Sequence, residues 1–301
     1  MAFRVILIES DAIIRYKLDN LMIQISEKSI SIPLRDISTI VIDNHNTSLS
    51  TRVLNMIAKE NVCLIICGLD HMPIGIFTGF CNHSRASKVI AQQVALTQDI
   101  KEDFWCKIVI AKLMNQSKML SKLGYEDNIT DQIKAFTLDV KSGDSSNREA
   151  HGAKVYFNRL MGKSFSRGDD SILMNSGLNY GYTILRSYIA RLCVGYGLNT
   201  MLGLHHRSEY NQFNLVDDLI EPLRPFVDYY VYGLLCNEKQ FTYQHRQALV
   251  NIVNHKVFYK NKKQYLANAL DEYIGDICDA IKNQDFTYVN NFDFDDYLGE
   301  T

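Results

Sequence analysis

Apolar and polar positions along this chain follow two rhythms. Up to residue 80 the apolar residues come in short, β-branched runs separated by turn residues, which predicts strands near 4–8, 14–18, 21–25, 29–32, 37–42, 62–66 and 74–77. Asp19-Asn20, between the second and third runs, suits a tight hairpin because both side chains tolerate a left-handed backbone. One helix interrupts the series. Ser50 can cap it, and Val53, Leu54, Ile57 and Ala58 fall at the i, i+3, i+4 spacing of an apolar face.

From about residue 85 the period lengthens to that of a helix, with stretches expected at 86–97, 100–122, 129–140, 148–161, 178–196, 215–220, 223–235, 242–257 and 263–282. No proline interrupts residues 85–221. A β-rich module followed by a helical one is an α+β arrangement. The expected plan is a small N-terminal β-rich domain, 1–80, a linker, 81–87, and a larger all-helical C-terminal domain, 88–301, whose aromatic and acidic end, 284–301, reads as a poorly ordered tail.

Composition narrows the class. With 301 residues, 47% apolar and 22% charged, the chain is long enough for one or two real cores and unlike a disordered or fibrous sequence. A net charge of −2 argues against a bulk polyanion or membrane-surface binder, but the five acids after Lys282 account for that sign, and without them residues 1–282 carry +3. Seven scattered cysteines form no dense disulfide framework and fit a reducing cytoplasm. The longest apolar runs fall far short of the ~20 residues of a membrane helix, and no targeting segment is read.

Three clusters could carry chemistry. Cys63, Cys67, His71, Cys81 and His83 offer soft metal ligands, yet they contain no C-x-x-C pair, and Cys63 and Cys67 sit in an apolar run where cysteine behaves as a small hydrophobe. The segment from Gly203 to Pro225 places His205 and His206, then Asp217, Asp218 and Glu221, around a short helical turn for which Asn214 is the natural N-cap. Asp217 is read as complementing the positive end of that helix, whereas Asp218 and Glu221 could converge with an imidazole on one cation. Ser146 to Glu149 matches a capping box, in which Glu149 only reaches back to an amide. The same helix start would equally suit phosphate or metal-phosphate chemistry. His151 points to another side of the helix.

The order Ser146-Asn147-Arg148-Glu149, Asn175-Ser176-Gly177-Leu178-Asn179-Tyr180-Gly181-Tyr182, Gly203-Leu204-His205-His206 and Asp218-Leu219-Ile220-Glu221-Pro222-Leu223-Arg224-Pro225 resembles CRISPR-associated protein 1, in a form like that of type II systems. This is the integrase and endonuclease subunit of CRISPR spacer acquisition, an antiviral defence. The resemblance covers essentially the whole chain. It implies metal ligands at Glu149, His206 and Glu221, with His206 favoured over His205 by its spacing to Asn211-Gln212-Phe213-Asn214, and Asp218 as an assisting position. An imidazole with two carboxylates suits Mn²⁺ or Mg²⁺. The implied reaction is transesterification, joining the 3′-hydroxyl ends of captured double-stranded DNA to phosphodiesters at the edge of a CRISPR repeat. Arg148, Arg159, Lys163, Arg167, Arg186 and Arg207 are candidates to hold the DNA backbone. Also implied are a homodimer joined through the β-rich domain, a small ferredoxin-like adaptation protein completing a heterohexamer, and further type II CRISPR proteins. Two rivals remain: a metal-dependent hydrolytic nuclease or phosphatase, and a non-catalytic DNA-binding scaffold.

Overall fold

The first sheet is organised by its central strand. In the computed structural model, which describes residues 4–79, 83–125 and 127–294, all six residues of β5 (Ile37–Ile42) are buried. A strand covered on both faces reads as a near-continuous apolar run rather than an alternating one. β5 lies between parallel partners β1 (Arg4–Ile8) and β7 (Cys63–Cys67), and β8 (Pro73–Phe77) adds antiparallel to β7. The second sheet, in the order β4 (Lys28–Pro33), β3 (Asn20–Ile25), β2 (Ile13–Lys17), β6 (Ser48–Leu49), covers one face of the first. Its hairpin turns at Leu18 and Asp19, both with positive φ, one residue earlier than expected. Tyr16 donates to the Asp19 carboxylate at 2.6 Å and so selects that position. β6 has two residues, too few to show a period in sequence. α1 (Thr51–Lys59) starts where expected, with the Val53 amide donating to Ser50 Oγ, and it buries Val53 and Ile57.

The strict alternation of a strand sends successive side chains to opposite faces. Ile40, Ile42 and Leu64 enter a core with Ile14, Leu21 and Val53, whereas Val41, Cys63, Ile65 and Cys67 belong to the core of the helical half. The two halves therefore share a wall. Buried Asp43, just beyond β5, accepts from Arg246 Nε at 3.0 Å and pairs with His71 Nδ1 at 2.8 Å, which ties the wall to the far end of the chain.

The helical half comprises α2 (Ala86–Val94), α3 (Gln98–Lys122), α4 (Asp127–Leu138), α5 (Arg148–Leu160), α6 (Leu173–Gly195), α7 (Asn214–Ile220), α8 (Arg224–Leu235), α9 (Tyr243–Val250) and α10 (Leu266–Asn283). α3 and α6 run through its centre and are buried on most sides. The class is α+β as expected, with one departure from an all-helical second domain. Residues 256–265, expected as the end of one helix, a break at 258–262 and the start of the next helix, form a hairpin of β9 (Lys256–Tyr259) and β10 (Lys262–Tyr265). Lys260 and Asn261 adopt positive φ in its turn, and the preceding Val257, Phe258 and Tyr259 are strand formers.

The expected disordered tail is also corrected as far as residue 294. Phe286, Phe292 and Phe294 are buried, Phe294 stacks on Phe226 at 4.9 Å, and Asp293 exchanges backbone hydrogen bonds with Phe258. Three phenyl rings bury too much apolar area to be left in water. Residues 295–301, and positions 81 and 82 of the expected linker, lie outside the described residues, and α2 begins at Ala86. No helix among the described residues is long and apolar enough to cross a membrane.

Candidate active site

Lys112 is a lone charge in the apolar run 108–113 of α3, and it is buried, 6% exposed. Its ammonium donates to Glu149 Oε1 and, at 2.5 Å, to Glu221 Oε2. Two carboxylates from distant parts of the chain therefore converge on one cationic atom.

Glu149 reaches it because its helix is capped by another residue. The Asp144 carboxylate accepts from the amides of Arg148 at 2.8 Å and Glu149 at 2.9 Å, while Ser146 Oγ turns back to the Asp139 carbonyl. The capping box of Ser146 and Glu149 does not form, which leaves the Glu149 side chain to face α3. One turn later Gly152 allows the helices to touch: a Cβ there would lie 2.1 Å from Leu113 Cδ2.

Glu221 follows α7 in a tight turn, 221–223, held to α3 by Asn115 Nδ2 on the Pro222 carbonyl at 2.7 Å. Arg224 Nε donates to its other oxygen, Oε1, at 2.7 Å. Burial pushes the Glu221 carboxyl up, but the charges of Arg224 and Lys112 and their hydrogen bonds outweigh it and hold it down at about 2. Burial likewise disfavours the Lys112 ammonium, yet Glu221 and Glu149 raise its proton affinity above the ordinary lysine value. Both groups are charged at neutral pH.

The histidine loop is built on Asp218, which is fully buried. Its Oδ2 accepts from the amides of Leu204 (2.6 Å) and His205 (3.1 Å), and its Oδ1 from the amide of His206 (3.1 Å), with His206 Nδ1 at 2.7 Å. Such a carboxylate fixes the ring and leaves Nε2 as the nitrogen to offer a ligand. Gly203 is required by the close approach, since a Cβ would lie 2.3 Å from the His206 carbonyl oxygen. Asn214 does not act as the expected N-cap. Its amide instead donates to the carbonyls of Met201 and Ser208 and accepts from the Ser208 amide, closing the loop from below.

The two histidines are separated by packing. His205 stacks on buried Trp105, with ring centres 4.2 Å apart and planes 5° from parallel, whereas His206 meets the same indole edge-on at 5.8 Å. Desolvation lowers the pKa of His205. The Asp218 hydrogen bond, against desolvation, raises that of His206, and Glu221 adds to the rise. His206 thus lies within electrostatic reach of Glu221. Among the described residues, no three His, Cys, Asp or Glu side chains are gathered as one ready-made metal cluster.

Beside His206 opens a cavity of about 390 Å³, also lined by Lys101, Arg207, Ser208, Asn211 and Gln212. Of the basic candidates, Arg207 is exposed and donates to Gln98, and Lys163 is exposed just beyond α5. Arg148 pairs with Asp139 at 3.3 Å, and Arg159 lies over Tyr125. Arg167 is bound by Asn175 and Asn179. Arg186 is bound by Asp217 and Asn211, so Asp217 serves a side-chain pair as well as its helix end. In the cysteine cluster, burial pushes the Cys63 and Cys67 thiols up to about 12, the behaviour of core residues, and Cys81 lies outside the described residues.

Lys112, Arg224, Trp105 and Asp144 are site-building residues that pattern reading passed over. A single lysine inside an apolar helical run was the one available signal, because such a charge must find a partner when buried.

Residues 5–266 match the sequence model of the family described as CRISPR associated protein Cas1. The chain is 36% identical over 228 residues to the CRISPR-associated endonuclease Cas1 of Neisseria meningitidis serogroup C (strain 8013), spanning 76% of this chain and 74% of that one. In fold it is similar to a casposase bound to integration product, with a TM-score of 0.77 at 19% identity over 94% of this chain and 93% of that one. It is also similar to a chain of a Cas6-RT-Cas1–Cas2 complex, with a TM-score of 0.76 at 17% identity over 96% of this chain and 36% of that one. With a family match over most of its length and that degree of identity to a curated relative, the chain belongs to the CRISPR-associated Cas1 family.

Proposed function

We propose that this chain is the DNA-joining enzyme of CRISPR spacer acquisition. The reaction is transesterification, with the 3′-hydroxyl of a captured double-stranded fragment attacking a phosphodiester at a CRISPR repeat. The observation that carries the reading is the convergence of Glu149 and Glu221 on one cationic atom, with an imidazole, oriented by a buried carboxylate, within electrostatic reach of Glu221. That donor chemistry fits a divalent cation, Mg²⁺ or Mn²⁺, held by Glu149, Glu221 and His206. When bound, such an ion supplies charge that stabilises the attacking and leaving oxygens of an in-line displacement.

The chain's own residues supply the rest. Arg224 keeps Glu221 ionised and in one orientation. Asp218 acts through His206, since both its oxygens are engaged by the histidine loop. Lys101 and Arg207, lining the neighbouring cavity, are placed to hold a phosphate backbone. Ile66, Leu69 and Ile74 remain exposed on β7 and the β7–β8 loop and edge, which supports a second copy joining through the first domain. A small ferredoxin-like adaptation protein would complete the assembly, in the cytoplasm; the similarity to a Cas1–Cas2 complex supports that partner class.

The endonuclease name of the Neisseria relative favours a second reading, hydrolysis at the same site with water as attacker. Product analysis separates them: branched, joined DNA against cut ends. The test of the site is Glu149→Gln, assayed with partner, 3′-hydroxyl DNA and a repeat-bearing plasmid in Mg²⁺ or Mn²⁺. Removing one electrostatic stabiliser should lower joining by ~10² to 10³ while folding and DNA binding survive. Near-normal joining would remove Glu149 from the site.

A further inference from the structure

We propose that Lys112 is a resident counter-ion that balances the carboxylate pair until DNA arrives, so that the divalent cation and the DNA load together. The inference rests on the metal-site reading above and adds how that site is regulated.

The charges at the pair close to neutrality. Glu149 and Glu221 are met by Lys112, which contacts both, and by Arg224, on the second oxygen of Glu221. Asp218 makes its hydrogen bonds to three amides and an imidazole of the histidine loop, not to the pair or its cations. A dication entering this site without DNA would therefore add two positive charges to a neutral, largely buried centre. An incoming phosphodiester supplies the missing negative charge.

The two cations differ in freedom. The Arg224 guanidinium lies over the Tyr182 ring at 4.5 Å and is fixed by that stacking as well as by Glu221. Lys112 has a compact charge on a flexible four-carbon stem, and both of its hydrogen bonds go to the carboxylates themselves. It can give up one carboxylate and turn its ammonium to a phosphate oxygen. A neutral residue at this position would leave the pair with one unbalanced negative charge, which favours a dication even in the absence of DNA.

The experiment is a Mn²⁺ titration of the full chain, with free Mn²⁺ read by electron paramagnetic resonance, with and without a saturating duplex bearing 3′-hydroxyl ends. Wild type should bind Mn²⁺ at least about tenfold more tightly with DNA, and by linkage Mn²⁺ should tighten DNA binding by the same factor. Lys112→Met should bind Mn²⁺ without DNA about tenfold or more tightly than wild type, the scale of removing a unit charge a few ångströms from a dication, and its coupling to DNA should shrink. Lys112→Gln, which keeps an amide donor for one carboxylate, is the second neutral variant if Met does not fold, with circular dichroism as the check. Lys112→Arg, which keeps the charge, should bind DNA-free Mn²⁺ as weakly as wild type. A folded neutral variant that binds DNA-free Mn²⁺ no more tightly than wild type overturns the role of Lys112. If that occurs while Glu149→Gln still weakens Mn²⁺ binding, the metal site stands and only the counter-ion is lost; if wild type binds no Mn²⁺ in either state, both fall.

Discussion

Asp218→Asn tests whether one buried carboxylate builds the histidine loop. In the folded chain its two oxygens accept four N–H groups, three from backbone and one from the His206 ring, and the residue has no exposed surface. Asparagine keeps one acceptor oxygen and places an NH₂ group where the other stood, so at least two acceptances are lost and a donor faces donors. Hydrogen bonds to a charged acceptor contribute ~1.5–3 kcal/mol each, and sparing the cost of burying a charge returns part of that, which leaves an expected net loss of about 3 kcal/mol. Urea unfolding at constant slope should show this as a lower midpoint. Nuclear magnetic resonance should show the His206 ring titrating at lower pH than in wild type, because the Asp218 hydrogen bond is the main cause of its raised pKa. A group with a raised pKa lends stability that is present below its ordinary value, 6.5 here, and lost as pH rises through the folded value. The gap between wild type and variant should therefore widen slightly below neutral pH, modestly so because the ring is 40% exposed. A loss under ~1 kcal/mol with an unmoved His206 titration would refute the reasoning.

Two further outcomes follow from the same contacts. Glu221, held at about 2 against an ordinary 4.5, contributes stability present above 4.5 and lost as pH falls toward 2, about 3 kcal/mol in all; the acid limb of urea midpoints should flatten in Glu221→Gln, which should also be less stable at pH 7, and an unchanged acid limb would contradict the pairing. Gly152→Ala would drive a Cβ to 2.1 Å from buried Leu113 and should cost ~1–3 kcal/mol in the same assay, with a neutral result showing that α5 does not seat against α3 as described.

Most elements were legible from period alone. β1 and β5 lie at the expected residues, and α5 and α7 start at or within one residue of expectation. Long amphipathic or apolar-rich stretches carry many independent positions that agree. The 256–265 hairpin was missed because four-residue strands flanked by helix formers leave no such redundancy. The tail was misjudged because acidic residues at its surface hid three phenylalanines that pack inward.

What the sequence by itself determined was the α+β order of elements, the family resemblance carried by four motifs, and the residue types available for a site: Glu149, Glu221, two histidines and Asp218. Only the tertiary structure decided what each of them does. Spacing cannot choose between His205 and His206, because adjacent ring positions differ only in what packs on them, and Trp105, a hundred residues away, covers one. Nor can a local pattern tell a capping glutamate from a site glutamate, since the choice depends on whether Asp144 takes the helix amides first. Lys112 is the clearest case. A charge in an apolar run signals a buried partner, but Glu149 and Glu221, 37 and 109 residues away, become its partners only when α3, α5 and the turn after α7 meet. Helical and strand periods arise from neighbours along the chain, whereas the charges that define this site are compensated across it.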